Sequence, residues 1–191
     1  LFLPAGKKEV FIIVQTHGFK FHREEIIMKH LTTLKELEIN EITEILDRAG
    51  DFKKGEQKTY ANTVFANLFF EPSTRTQNSF IMAEKKLGIQ DINLNPKVSA
   101  IQKGETLYDT VKTFEALGVN GIVIRATEEK YYEELVGKVK IPIMNGGDGA
   151  GDHPTQSLLD LMTIREEFGK LEGLRVLILG DIRFSRVAKT N

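Results

Sequence analysis

No cysteine occurs among the 191 residues, which excludes disulfides, thiolate metal sites and cysteine nucleophiles. Histidine is scarce: His17, His22, His30 and His153 are the four present, and no two stand at a metal-ligand spacing such as HExxH. No apolar run approaches the roughly 20 residues of a membrane span. The patch FIIV near the start is too short for a signal-peptide core, and no small-residue cleavage site follows it. A net charge of −1 offers no general attraction to nucleic acid or to a membrane. What is present is ordinary: 41% apolar and 28% charged residues, the composition of a soluble globular protein. The length accommodates one domain and part of another. These features predict a soluble, cytoplasmic protein that works with no metal and no other cofactor.

Strand patterns alternate with helix patterns, which predicts an α/β fold with a parallel sheet flanked by helices. Strands are expected over 63–70, 89–94, 121–125 and 139–144, and helices over 74–87, 105–117, 128–137 and 154–168. Gly88 and Gly118 stand as helix stops. From Met28 a helical pattern runs to Gly55, with Leu37, Ile42, Ile45 and Leu46 on one face and Asn40 and Glu41 suited to a helix start. Residues 1–27 have neither period, and we read them as an upstream or non-native segment ahead of a natural start at Met28. Residues 28–168 form the first domain. Residues 169–191 read as the truncated beginning of a second α/β domain, with 174–179 as its first strand. A parallel strand needs neighbours on both sides.

The run FFEPSTRTQNSF (69–80) is the most informative in the chain. It reads as a strand end, a tight turn and the first turn of a helix carrying Ser73, Thr74, Arg75 and Thr76. Free amides and the positive dipole end of a helix start attract anions. A guanidinium that binds two oxygens at once makes such a place suited to a phosphate. The alternative is that Ser73 or Thr74 merely caps the helix.

Four further residues are candidates. Ser99 and Lys103, in SAIQKGETLYDT, offer a hydroxyl and an ammonium to an anion, or are solvated loop residues. Arg125 closes the apolar strand GIVIR as a substrate contact or a snorkelling surface residue. His153 opens a helix, where a neutral imidazole is favoured and can polarise a carbonyl; the alternative is a capping or loop histidine. Gln156, one turn on, carries both a donor and an acceptor. The stretch NGGDGAGDHP is not a P-loop, because no GK[ST] follows, nor a calcium nonapeptide, nor a dinucleotide fingerprint.

In this order and spacing FFEPSTRT, KGETLYDT, VIR, GDGAGDHPTQSLLDL and GDIRFSRVA resemble the aspartate/ornithine carbamoyltransferase family, in particular the catalytic chains of its aspartate branch. The resemblance runs from about Met28 to Asn191. It implies that the first domain binds carbamoyl phosphate and that the second binds aspartate. The reaction implied is carbamoyl transfer to L-aspartate, giving N-carbamoyl-L-aspartate and phosphate in pyrimidine synthesis, without a cofactor. Ser73, Thr74, Arg75 and Thr76 would hold the phosphate. Thr76, Arg125 and His153 would face the carbonyl oxygen, and Gln156 the carbamoyl nitrogen. Ser99 and Lys103 would reach a neighbouring subunit's site in a homotrimer, Lys103 also serving the aspartate. Arg186 would bind aspartate carboxylates. Regulatory or pathway subunits are further partners of such chains. The fragment by itself is expected to be inactive.

Three positions depart from the family pattern: Gln77, Ala126 and Asp152. A carboxylate at Asp152 is expected to raise the pKa of His153. The alternatives are an ornithine or other amine carbamoyltransferase, and a non-catalytic phosphate-binding or trimer-forming module.

Overall fold

The structure, a computed structural model, describes residues 30–94, 104–180 and 182–190. The segment 1–27 and the candidates Ser99 and Lys103 lie outside the described residues.

Four parallel strands form one sheet in the order β2-β1-β3-β4. They are β1 (Val64–Phe69), β2 (Gln90–Leu94), β3 (Gly121–Ala126) and β4 (Ile143–Asp148). The longer helices are α1 (Ile39–Lys54), α2 (Thr74–Lys86), α3 (Leu107–Ala116) and α4 (Pro154–Phe168), followed by the short α5 (Arg186–Thr190). Alternate residues of a strand point to opposite faces, and the core divides accordingly. Ala66, Leu68, Ile122 and Ile124 join Val111 and Phe114 of α3 on one face. Phe69 and Val123 join Leu46 of α1, Phe80 of α2 and Leu158 of α4 on the other. Each described helix of ten or more residues therefore has a buried stripe against the sheet, which secures it far better than helix propensity alone.

The α/β class, β1, β2, β3, α2 and α4 form where the sequence pattern puts them. Other segments differ, each for a local reason. The helix expected over 128–137 is reduced to a 3₁₀ turn at Tyr131–Glu134. Lys130 stands at φ 57 and Gly137 at φ 79, conformations that cannot lie inside a right-handed helix. The last strand is shifted: it begins after Pro142, whose missing N–H suits a strand entrance, and runs through Asn145, Gly146 and Gly147 to Asp148. At the other end of the helical pattern, Leu31 makes a parallel bridge to Met144, so the chain adds to the β4 edge before α1 begins. Residues 174–179 belong to no strand, and Val176, Leu177 and Leu179 are exposed. No described helix is long and apolar enough to cross a membrane.

A crevice at the strand ends

Ligands of open parallel sheets bind beyond the C-terminal ends of the strands, and most of the candidate residues of this chain gather there. β1 ends at Phe69, beside Arg125 in the β3 register. The chain then turns through Glu71 and enters α2 at Ser73. β4 ends at Asp148 and reaches His153, the residue that opens α4, after a four-residue excursion whose tight turns are set by glycine.

Gly149, at φ 44, has no room for a side chain, because a Cβ there would lie 2.6 Å from the Thr127 carbonyl oxygen. Gly147, at φ 116, lets two guanidinium groups close over the backbone. A Cβ at this position would stand 3.1 Å from Arg125 Nη1 and 3.2 Å from Arg186 Nη1.

Glu71 holds these two arginines together. Arg125 Nε donates to Glu71 Oε2 at 3.1 Å, and Arg186 Nη2 donates to the same oxygen at 2.6 Å. Arg125 Nη1 also donates to the Gly146 carbonyl at 3.2 Å, and Arg186 Nε donates to the Gly149 carbonyl. All three side chains are largely shielded from water, so their attraction is screened less than that of a surface pair. Burial and the nearby Arg186 charge lower the Arg125 pKa, and Glu71 opposes them; an arginine remains a cation at neutral pH regardless.

His153 is buried, and its pKa is pushed down to about 4 by burial first, then by Arg125 and Arg186. The ring is therefore neutral at pH 7, one nitrogen a donor and the other an acceptor. Its Nδ1 lies 3.4 Å from Thr155 Oγ1, and its backbone N–H donates to Thr190 Oγ1 of α5 at 2.9 Å. The raised pKa expected from Asp152 is thus the reverse of what the structure shows. The Asp152 carboxylate belongs to another group of side chains, with the Tyr132 hydroxyl at 3.4 Å and Lys35 Nζ at 3.5 Å.

The structure therefore brings Arg125, His153 and Arg186 together. Ser73, Thr74, Arg75 and Thr76 form the first turn of α2 beside them, with Thr74 and Arg75 exposed. No hydrogen bond among the described residues links these four to Arg125 or His153. Gln156 sends its amide to Asp160 Oδ1, 3.0 Å away along α4.

Sequence reasoning missed Glu71, although it lies within the most informative run. It also missed the polar support behind the glycine turns. Asp148, fully buried, accepts from the N–H of Lys130 and of Asp152, each at 2.6 Å, and from Asn145 Nδ2 at 3.2 Å. Asn145 Oδ1 in turn accepts from the Gly147 N–H at 2.8 Å. The sequence signal was only the polar Asn145 and Asp148, flanking two glycines directly after Ile143 and Met144. Such residues, when buried, must find partners.

A guanidinium pair and a neutral imidazole at the positive end of a helix can bind an anion and donate to a carbonyl oxygen. Residues 29–166 match the family model described as aspartate/ornithine carbamoyltransferase, carbamoyl-P binding domain. Aspartate transcarbamoylase from Trypanosoma cruzi, in its complex with carbamoyl aspartate and phosphate, is 33% identical with a TM-score of 0.79. The match covers 85% of this chain and 54% of that one. The same enzyme with carbamoyl phosphate and aspartate gives 33% identity and a TM-score of 0.77, over 85% and 55% of the two chains. Its complex with N-(phosphonacetyl)-L-aspartic acid gives 33% and 0.75, over 85% and 52%. The chain thus spans about half the length of these solved relatives. By its motifs, its sheet and the matched domain, this chain belongs to the aspartate/ornithine carbamoyltransferase family.

Proposed function

We propose that this chain carries the carbamoyl-phosphate half of an aspartate carbamoyltransferase. In this reading residues 28–168 form the carbamoyl-phosphate-binding domain and residues 169–191 begin the aspartate-binding domain. The observation that carries the reading is the neutral His153 beside the Arg125 and Arg186 guanidiniums, at the end of β4 and next to the α2 entrance.

The chemistry asks for those groups. The amine of L-aspartate attacks the carbonyl carbon of carbamoyl phosphate and forms the new C–N bond. Negative charge builds on the carbonyl oxygen. The C–O bond to phosphate then breaks, phosphate leaves with the electron pair, and the amine's proton passes to the departing phosphate. Donors fixed in advance around the oxyanion lower this barrier, and losing one costs about 3–4 kcal/mol. Thr76, Arg125 and a neutral His153 serve the oxyanion. A neutral imidazole donates there without giving up a proton. Ser73, Thr74, Arg75 and Thr76 hold the phosphate with their side chains and with the amides of α2, and Gln156 serves the carbamoyl nitrogen. Arg186 binds a carboxylate of aspartate, exchanging part of its bond to Glu71 for it. Ser99 and Lys103 complete the site of a neighbouring subunit in a homotrimer. The pathway is pyrimidine synthesis in the cytoplasm.

Calorimetric titration of this chain with carbamoyl phosphate, beside an Arg75→Ala variant, tests the reading. Saturable binding that weakens by about a hundredfold or more in the variant is expected, since a guanidinium–phosphate contact is a charge-assisted, two-bond interaction. Equal binding by both, or none by a folded chain, would overturn it.

A further inference from the structure

On the side of α2 that faces the sheet lies a polar pair that the crevice does not use. Glu84 of α2 and Asn67 of β1 are both fully buried, at 0% exposure each. Asn67 Nδ2 donates to Glu84 Oε2 at 2.8 Å. The remaining oxygen of each side chain, Glu84 Oε1 and Asn67 Oδ1, is also buried and has no hydrogen-bond partner among the described residues. An ionised carboxylate offers only acceptors, and so does the amide oxygen. With Glu84 charged, two buried acceptors would be left unsatisfied beside an uncompensated charge, the least favourable arrangement for a core. One proton on Glu84 removes all three defects. The carboxylic acid then has an O–H to donate to the Asn67 oxygen, and acid and amide form a ring closed by two hydrogen bonds.

Among the described residues no cation forms an ion pair with Glu84 to hold the charge instead. Lys85 of α2 is bound to Asp91 of β2 at 2.9 Å; Asp91 acts on Glu84 in the direction of a raised pKa, and Lys85 against it. β1 contributes Asn67 itself. The core on this face of the sheet includes Leu46 and Ala49 of α1 and Phe80 of α2, all apolar. Burial is the largest influence, and it pushes the Glu84 carboxyl up to about 7.

We propose that Glu84 is carried as a neutral carboxylic acid that clamps α2 to β1 through two hydrogen bonds with Asn67, and that it is thereby a positioning residue for the Ser73–Thr76 entrance of the same helix. The clamp rests on the fold alone; only the use of the entrance rests on the proposed function. A carboxyl with a folded pKa above its unfolded value binds more protons when folded, so its contribution to stability is complete below the unfolded range. It is lost as pH rises through about 7. Above that, α2 is held by a charged, half-satisfied pair.

Carboxyl ¹³C NMR of the glutamates in the full chain, titrated from pH 5 to 9, tests the clamp directly and needs no variant, since the Glu84 signal can be traced from its own backbone. Amide exchange in α2, corrected for the intrinsic pH dependence, supplies the second measurement, on wild type and Glu84→Gln. Gln keeps both hydrogen bonds at every pH. Expected is a Glu84 signal in the acid form past pH 6. Protection of α2 should drop by about tenfold or more between pH 5 and 7.5 in wild type, beyond any drop in Glu84→Gln. A Glu84 carboxyl already ionised at pH 5.5, or the same pH slope in both proteins, would overturn the proposal. Carbamoyl phosphate is absent from both measurements, so the clamp and the proposed function fail separately.

Discussion

The helices of this molecule begin in two different ways. α1 and α3 fill their own entrances. Glu38 N–H donates to Glu41 Oε2 at 2.8 Å in the capping box of α1. In α3, Thr106 Oγ1 accepts from the Asp109 N–H at 3.1 Å while its own N–H meets Asp109 Oδ2 at 3.4 Å. α2 and α4 have no acidic residue in the first turn and no side-chain capping bond among the described residues. Both open at the crevice, after β1 and after β4. An acid at the third helical position satisfies the free amides and neutralises the positive dipole end. That is good for helix stability and bad for any anion that should bind there. The two open entrances forgo this stabilisation, and both lie at the crevice end of the sheet, the end at which we propose that the anion binds.

The most direct way to break the contrast is to give α2 the start that α1 and α3 have. Ser73 is its cap, so the third helical position is Thr76. Thr76→Glu should create a capping box and add about 1 kcal/mol to stability in urea unfolding. In calorimetry it should weaken carbamoyl phosphate by about a hundredfold or more, because a fixed negative charge then occupies the anion's place. Gain of stability with unchanged affinity would show that the open entrance has no bearing on binding.

A second test separates the entrance of α4 from the interior of α2 by pH. His153 has a folded pKa of about 4 against an ordinary value of 6.5, so the unfolded chain binds more protons between them. Stability from this site rises with pH across that window and is lost as pH falls through it, to a total of about 3 kcal/mol. Glu84 has the opposite slope over an overlapping range, declining from the ordinary carboxylate range to about 7. The wild-type profile therefore mixes the two. Subtracting the urea stability of His153→Gln from that of wild type at pH 4.5, 5.5 and 7 isolates the histidine, and the difference should climb with pH. A flat difference would mean that the ring titrates normally and is not held neutral by burial and the two arginines.

Much of this fold is legible in the sequence, because its signals are local. β-branched and aromatic runs mark β1 and β3, proline at the first turn marks α4, and the STRT run marks the α2 entrance. β4 was misplaced because its buried second half, Asn145 to Asp148, is polar and glycine-rich and is stabilised by side chains from elsewhere, including Tyr131 with Asn145 at 3.4 Å. The site divides along the same line. Arg125, His153 and Arg186 could each be named from motif position. Glu71 could not be seen to join two arginines that are 61 positions apart in the chain, nor could Glu84, beside Lys85 and Lys86, be told from a solvated helix charge. The pKa of His153 failed for a related reason. Asp152 is its neighbour in sequence, yet the charges that act on the ring come from β3 and α5.

The smallest expected effect is also the cleanest control on the contrast. Thr106→Ala removes a hydroxyl that accepts from the Asp109 N–H and donates to Asp109 Oδ2 at 2.6 Å. Losing such a cap costs about 1 kcal/mol in urea unfolding, and affinity for carbamoyl phosphate should not change. Ser73→Ala removes a hydroxyl from the same position of α2, where it makes no capping bond among the described residues. Its stability should fall by less than about 0.5 kcal/mol, since no buried bond is broken, while carbamoyl phosphate binding weakens. One chemical change, made at two helix starts, should therefore register in unfolding at α3 and in calorimetry at α2. If both variants lose stability and neither loses affinity, Ser73 is an ordinary cap and the α2 entrance is no more a binding site than that of α3.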